Sequence, residues 1–140
     1  MNTYESKQKQ LFVSQIEAYN KLSDLKNIEP YVSAIKQQFQ DKIQDISIDS
    51  NYISLSVENI NVVFKIIDRE EYKTIKFAVD NIPLSANMWI QLKEISEMET
   101  RMKLTIKADI PFFLKPMVGD KLEKGIDEIA NAIALAINKK

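Results

Sequence analysis

The chain contains no cysteine and no histidine. Without cysteine there are neither disulfides nor thiolate metal sites, and nothing reports the redox compartment. Without histidine the commonest general base, the commonest metal ligand and every Ser-His or Cys-His nucleophile are gone. Any catalysis would have to rest on carboxylates, lysine, tyrosine or a bound water. Arginine is nearly absent as well: Arg69 and Arg101 stand alone among 19 basic side chains, the others being lysines. Lysine-rich, arginine-poor surfaces solvate more often than they read phosphates. With 20 acidic residues the net charge is only −1, which argues against a nucleic-acid partner, since non-specific binding needs a basic excess. The first ten residues lack the apolar core of a signal peptide, and no run approaches a membrane span. A cytoplasmic protein without membrane insertion is expected.

What is present is organised around the stretch 109–138. Leu114, Val118, Leu122, Ile126, Ile129, Ile133 and Ile137 recur there at steps of three or four, the helical period. Asp120, Lys121, Glu123, Lys124, Asp127, Glu128 and Asn131 fill the other side. A helix over 112–137 would be nearly 40 Å long, at about 1.5 Å per residue. It can bury its stripe only against something equally long. The two glycines of the chain, Gly119 and Gly125, both lie in it. A glycine inside a helix costs about 1 kcal/mol relative to alanine, so they predict a bend or a close approach. Gly125 in particular marks either close backbone contact with the sheet or a roomy cavity beneath. Pro116 predicts an irregular lead-in over 112–116, or a kink, before a regular helix over 117–137.

Residues 3–13 alternate loosely, with Tyr4, Ser6, Gln8, Gln10 and Phe12 on one side, and predict a polar first strand near a sheet edge. Ser14-Gln15-Ile16-Glu17 matches a capping box, with Val13 and Ala18 placed as a hydrophobic staple. The short helix that follows would bury Ile16, Tyr19 and Leu22. Asn27 is expected to cap a second short helix with Pro30 in its first turn, burying Tyr31, Ala34, Ile35, Gln38 and Phe39.

From Ile43 to Ala108 the period becomes two. Six short strands are predicted, centred on Ile46–Ile48, Ile53–Val57, Val62–Ile66, Ile75–Val79, Met88–Leu92 and Met102–Ile106. Turns fall at 49–51, near Glu58-Asn59, at 68–71, across 80–85 with Pro83, and at 96–99. Such spacing is that of an antiparallel meander. One face is apolar, and the other carries Ser54, Ser56, Lys65, Lys76, Gln91, Lys93, Lys103 and Lys107. No repeat, low-complexity segment or linker divides the chain, so 1–140 is expected to be one domain.

The order is thus strand, helix, helix, six strands, long helix. It resembles the helix-grip arrangement of the START-like superfamily, also called the polyketide cyclase/dehydrase and lipid transport family, and most of all a small single-domain bacterial subset. The segment LSDLKNIEPYV at 22–32 resembles the family's link between its two small helices, and 101–134, RMKLTIKADIPFFLKPMVGDKLEKGIDEIANAIA, its last strand entering the long helix. The resemblance covers essentially the whole chain. It implies an α+β fold: a seven-stranded antiparallel curved sheet wrapped on the C-terminal helix, with two short helices after the first strand. It further implies a cavity between sheet and helix. By strand and helix parity, Leu55, Phe64, Phe77, Ile90, Leu104, Leu122, Ile126 and Ile129 would line it, with Tyr31, Tyr52 and Ser54 as polar anchors. Whether these side chains fill the interior or leave a pocket stays open at this point.

The superfamily includes lipid carriers, pollen-allergen-type proteins, aromatase/cyclases and chaperone-ATPase activators, and no active-site motif of any of them can be placed here. Glu70-Glu71 and Asp127-Glu128 read as solvated pairs, and Asp109 as the close of a strand. There is no Gly-rich phosphate loop, H-E-x-x-H motif or acidic calcium loop, so neither metal nor cofactor is expected. The reading is a non-enzymatic binder or carrier of a small hydrophobic ligand, lipid or polyketide-like. The alternatives are a cyclase/dehydrase-type enzyme or a protein-interaction module of the same fold. A second copy of the chain, as in a homodimer, is open as a further partner. Parity puts Trp89 on the outer face, under long neighbours or at a partner surface; a bulge would turn it into the cavity.

Overall fold

Cross-strand pairing of the alternating segments builds the sheet, and its register explains where the core lies. The computed structural model describes residues 2–39, 42–57, 59–82 and 84–138, without the side chains of Gln38, Met117 and Val118. The expected turn residue Glu58, the connection residue Pro83 and the side chains of Gln38 and Val118 therefore lie outside the described residues. The elements in order are β1 (Asn2–Glu5), β2 (Lys9–Leu11), α1 (Gln15–Ser23), a 3-10 helix (Leu25–Tyr31), α2 (Val32–Gln38), β3 (Ile43–Ile48), β4 (Tyr52–Val57), β5 (Ile60–Glu70), β6 (Thr74–Asp80), β7 (Ala86–Ser96), β8 (Glu99–Ala108), a 3-10 turn (Phe112–Leu114) and α3 (Lys115–Asn138). The strands form one antiparallel sheet in the order β1-β8-β7-β6-β5-β4-β3, with β2 also paired to β8.

The first strand thus occupies one position but comes in two pieces. Ser6 is the reason: its N–H donates to the Leu104 carbonyl at 2.9 Å, and its hydroxyl accepts from the Leu104 N–H at 2.9 Å. With a side chain taking a ladder position, the backbone at Lys7 swings off the sheet, and its N–H donates to the Asp127 carboxylate of α3 at 2.9 Å. β2 then rejoins β8, where Leu11 sits opposite Thr100. At the far end Asn138 repeats the attachment, accepting from the Phe12 N–H and donating to the Gln10 carbonyl.

On the inner face, side chains stack in rows across β6, β7 and β8: Ile75, Ile90 and Leu104; Phe77, Met88 and Ile106; Val79, Ala86 and Ala108. All nine are buried. α3 lies along β1, β2 and β8, placing Ile126, Ala130 and Ile137 in this filled half of the interior. The Pro116 irregularity resolves as the 3-10 turn, with the proline inside the first turn of α3, where a missing N–H has no helical partner to lose. Gly119 answers to close approach, because a Cβ there would stand 3.2 Å from the Tyr4 hydroxyl.

Several local expectations need correction. Ser14 does cap α1, accepting from the Glu17 N–H at 3.1 Å, and Val13 and Ala18 are buried as a staple requires. Ile16, however, is 53% exposed, and Ala18 joins Tyr19 and Leu22 in its place. The second helix begins earlier than expected: Asp24 caps a 3-10 segment by accepting from the Lys26 N–H, and Pro30 lies inside it. Asn27 instead donates back to the carbonyls of Asn20 and Lys21, locking this segment to α1. Ala34 faces outward on α2. β5 runs on through Glu70 rather than stopping at Asp68. There Arg69 donates to the Ser23 carbonyl at the end of α1 and to the Asn51 side chain at 2.7 Å, so the charge that breaks the apolar pattern holds a helix terminus.

Candidate functional site

The other half of the interior is empty. Beneath β3, β4 and β5, where α3 has moved over toward β8, α2 spans the gap, and a cavity of about 340 Å³ remains. The lining is aliphatic and aromatic, drawn from the 3-10 segment, α2, β3 to β7 and α3. Its wall residues from β4 and β5, Ile53, Leu55, Val57, Val62 and Phe64, are only half-buried, whereas Phe77, Met88 and Ile90, which the rows of β6 and β7 lend to the wall, are buried. Ligand pockets in proteins run from about 300 to 1,000 Å³ and are mostly apolar with a few polar groups. Among the described residues the only charged ones in the lining are Lys42, after α2, and Glu128, on α3. Both are exposed, so they stand at the rim, and the rest of the described lining is without a charge.

Of the residues that the sequence marks for the cavity wall, Leu55, Phe64, Phe77, Ile90 and Ile129 lie along it. Leu104 and Ile126 sit in the filled half, 0% and 3% exposed, and Leu122 packs partly buried against the same cluster. The difference is a rotation of α3. The row facing the cavity is Gly125, Glu128, Ile129, Ala132 and Ile133, while Ile126 and Ala130 turn toward β8 and its neighbours. An apolar stripe wide enough to cover both faces carries no mark of which part meets empty space. Tyr31 borders a narrow cleft with Leu22, Asn27 and Ile137 that adjoins the cavity at Ile28 and Ile133. Tyr52 is 38% exposed, and the Ser54 hydroxyl donates to the Asn61 side chain at 3.0 Å; neither is among the cavity's lining residues. The wall also takes Val32 and Ile35 from α2, Phe39 at its C-cap and Ile53 from β4. The inner-face pattern of α2 holds the signal for Ile35 and Phe39.

Gly125 belongs to this wall and not to a contact. A Cβ built on it meets no atom within 4 Å. Of the two readings of this glycine, close approach to the sheet is excluded and open space beneath it is observed.

The neighbouring acidic pair divides its work. Glu128 stands on the cavity rim, while Asp127 on the next helix face accepts from the Lys7 N–H and pairs with Lys9 at 3.0 Å. Desolvation pushes the Asp127 pKa up, but the Lys7 hydrogen bond together with the hydrogen bond and charge of Lys9 outweigh it and hold the carboxyl below its ordinary value. This pair reads from sequence as solvated, and only its first member is thus corrected. Tyr19, buried and edge-on to Tyr72 at 5.4 Å, has its phenol pKa raised. Burial is the main cause; Glu71 adds to it and Arg69 opposes it.

Trp89 lies on the outer face, opposite Lys76 and Thr105. The ammonium groups of Lys76 and Lys107 sit 5.3 and 5.6 Å from its ring centroid. The ring is therefore covered by its neighbours' long side chains. Among the described residues no cluster of acidic side chains could hold a metal ion, and no helix is long and apolar enough to cross a membrane.

No protein-family model matches this chain, and no curated protein matches its sequence. Solved structures do match in shape. Norcoclaurine synthase from Thalictrum flavum superposes with a TM-score of 0.76 at 8% identity, over 99% of this chain and 94% of that one. A conserved protein from Geobacillus kaustophilus gives 0.65 at 15% identity, over 98% and 95%. A START superfamily protein from Mycobacterium smegmatis gives 0.61 at 12% identity, over 96% of each chain. Identities this low speak for architecture alone, and the architecture is plain: the chain has the START-like helix-grip fold.

Proposed function

We propose that the protein binds a small hydrophobic molecule in the cavity between β3–β5, α2 and α3, without catalysing a reaction on it. The observation that carries this reading is a space of about 340 Å³ whose described lining is apolar, with charge at the rim alone. A domain that needed only stability would close such a space, because every unfilled apolar volume costs packing energy, about 24 cal/mol per Å³ in measured core cavities. An engineered apolar cavity of about 150 Å³ binds benzene, so this one has room for a molecule roughly twice that size.

The enzymatic alternative needs an acid or base held against the bound molecule. Among the described residues the only ionisable lining groups, Lys42 and Glu128, stand on the exposed rim, which supports binding over catalysis. Norcoclaurine synthase, of the same fold, is by name an enzyme; among the described lining residues a synthase here could draw only on those two. The interaction-module alternative loses its leading surface candidate to the lysines that cover Trp89.

Native mass spectrometry of gently purified protein, followed by titration with an environment-sensitive apolar dye, tests the proposal. Co-purifying apolar mass or saturable dye binding that an Ile53→Trp substitution abolishes is the expected result. A wild-type protein that takes up no apolar probe would sink it. Loss of binding in a Lys42→Ala, Glu128→Ala double variant is not expected.

A further inference from the structure

We infer that Gly125 sets the width of the cavity, and that the occupant is an uncharged molecule with a ring-sized apolar body lying directly on the α3 backbone there. This rests on the binding reading above. Gly125 sits mid-helix on the row facing the cavity. Nothing among the described residues requires glycine at this position. An added Cβ meets no atom within 4 Å, whereas at Gly119 the Tyr4 hydroxyl would stand 3.2 Å away. Neither glycine has a positive φ, so backbone conformation does not require it either. Alanine would fit and would favour the helix.

What the glycine does is leave a patch of bare helix backbone open to an apolar space. An extended acyl chain packs well against ordinary aliphatic walls and gains little from such an alcove. A fused-ring body is wider in one direction and fills it. The rim argues for the absence of net charge on that body. Among the described lining residues Lys42 and Glu128 supply one cation and one anion, so an ionised headgroup of either sign meets a like charge as well as an opposite one. A neutral polar group such as a hydroxyl can donate to the carboxylate or accept from the ammonium without a repulsive partner.

The test uses two uncharged probes, N-phenyl-1-naphthylamine read by its fluorescence and 1-dodecanol read by displacement, on wild type, Gly125→Ala and Gly125→Leu. Both variants are expected to fold, with melting temperatures at or above wild type. Affinity for the ring probe should fall several-fold in Gly125→Ala and at least about tenfold in Gly125→Leu, because the added atoms enter its place. Affinity for dodecanol should stay within about threefold of wild type in Gly125→Ala, since a chain can bend past one methyl group. Unchanged ring-probe affinity in both variants overturns the inference, as does an equal loss for ring and chain. A Gly125→Ala protein that melts well below wild type would also overturn it, by showing that the space is occupied by protein. Wild type that binds dodecanol but not the ring probe refutes the ring-sized body while leaving the binding reading intact. Wild type that binds neither refutes both.

Discussion

Removing the Asp127 carboxylate should loosen the long helix from the broken edge of the sheet by a calculable amount. That carboxylate accepts from the Lys7 N–H at 2.9 Å and meets the Lys9 ammonium at 3.0 Å, with its side chain 30% and that of Lys9 13% exposed. Hydrogen bonds to a charged group contribute about 1.5–3 kcal/mol, and exposed ion pairs about 0.2–1 kcal/mol. Lys7 is exposed, so water can replace part of the lost bond. Asp127→Ala should therefore cost about 1–2 kcal/mol, roughly 3–10 °C in melting temperature for a domain of this size. Asp127→Asn keeps an oxygen for the Lys7 N–H and loses only the ionic part, about 0.5 kcal/mol. The pH dependence separates the two contributions. The folded-state pKa lies below the ordinary value despite desolvation, through Lys7 and Lys9. Such a carboxylate stabilises the fold at pH above its unfolded pKa, about 3.9, and stops doing so as pH falls through the lower, folded value. The gap between wild type and Asp127→Asn should accordingly be full near pH 6 and close progressively below about pH 4. Urea denaturation of the three proteins across that range measures it. An Asp127→Ala protein as stable as wild type at pH 6 would refute the reasoning, as would an Asn gap that persists undiminished in acid.

Three further outcomes follow from the same geometry. Leu104→Ala, at 0% exposure in the closed half of the core, should cost about 3–5 kcal/mol, whereas Leu55→Ala, on the half-buried cavity wall, should cost about 1–2 kcal/mol; equal losses in denaturant melts would mean that the interior is not divided into filled and open halves. Tyr19 should ionise above the ordinary tyrosine value of about 10, chiefly because it is buried, and its contribution to stability should be complete below that value and lost as pH rises through the folded one. Tyrosinate absorbance of wild type against Tyr19→Phe reads this, and a Tyr19 midpoint at or below the free value would contradict it. Trp89→Ala should stay folded and lose about 1–2 kcal/mol, the worth of two partly exposed cation–π contacts; a loss beyond about 4 kcal/mol would place the ring in the core.

The sequence by itself determined the elements and their faces. Period two from Ile43 to Ala108 dictated which side chains point inward, because a pleated strand has no other choice. Hence Ile75, Phe77, Ile90 and Leu104 are inside and Trp89 is outside. The stripe from Leu114 to Ile137 likewise required one long amphipathic helix, and Ser14 with Glu17 marked the start of α1. These signals are local, and each is complete within a few residues of chain. Only the tertiary structure decided what inward means. Leu104 and Leu55 have the same parity on their strands, yet one is sealed under α3 and the other faces open space. The cause is the lateral position of α3 on the sheet, fixed by Ser6, Asp127 and Asn138 acting across more than a hundred residues of chain separation in two of the three cases. The same displacement turned Gly125 and Ile129 to the cavity and Ile126 away from it. A periodic pattern fixes the rotation of a side chain about its own element, but not the distance from that element to the next. A cavity is made of that distance.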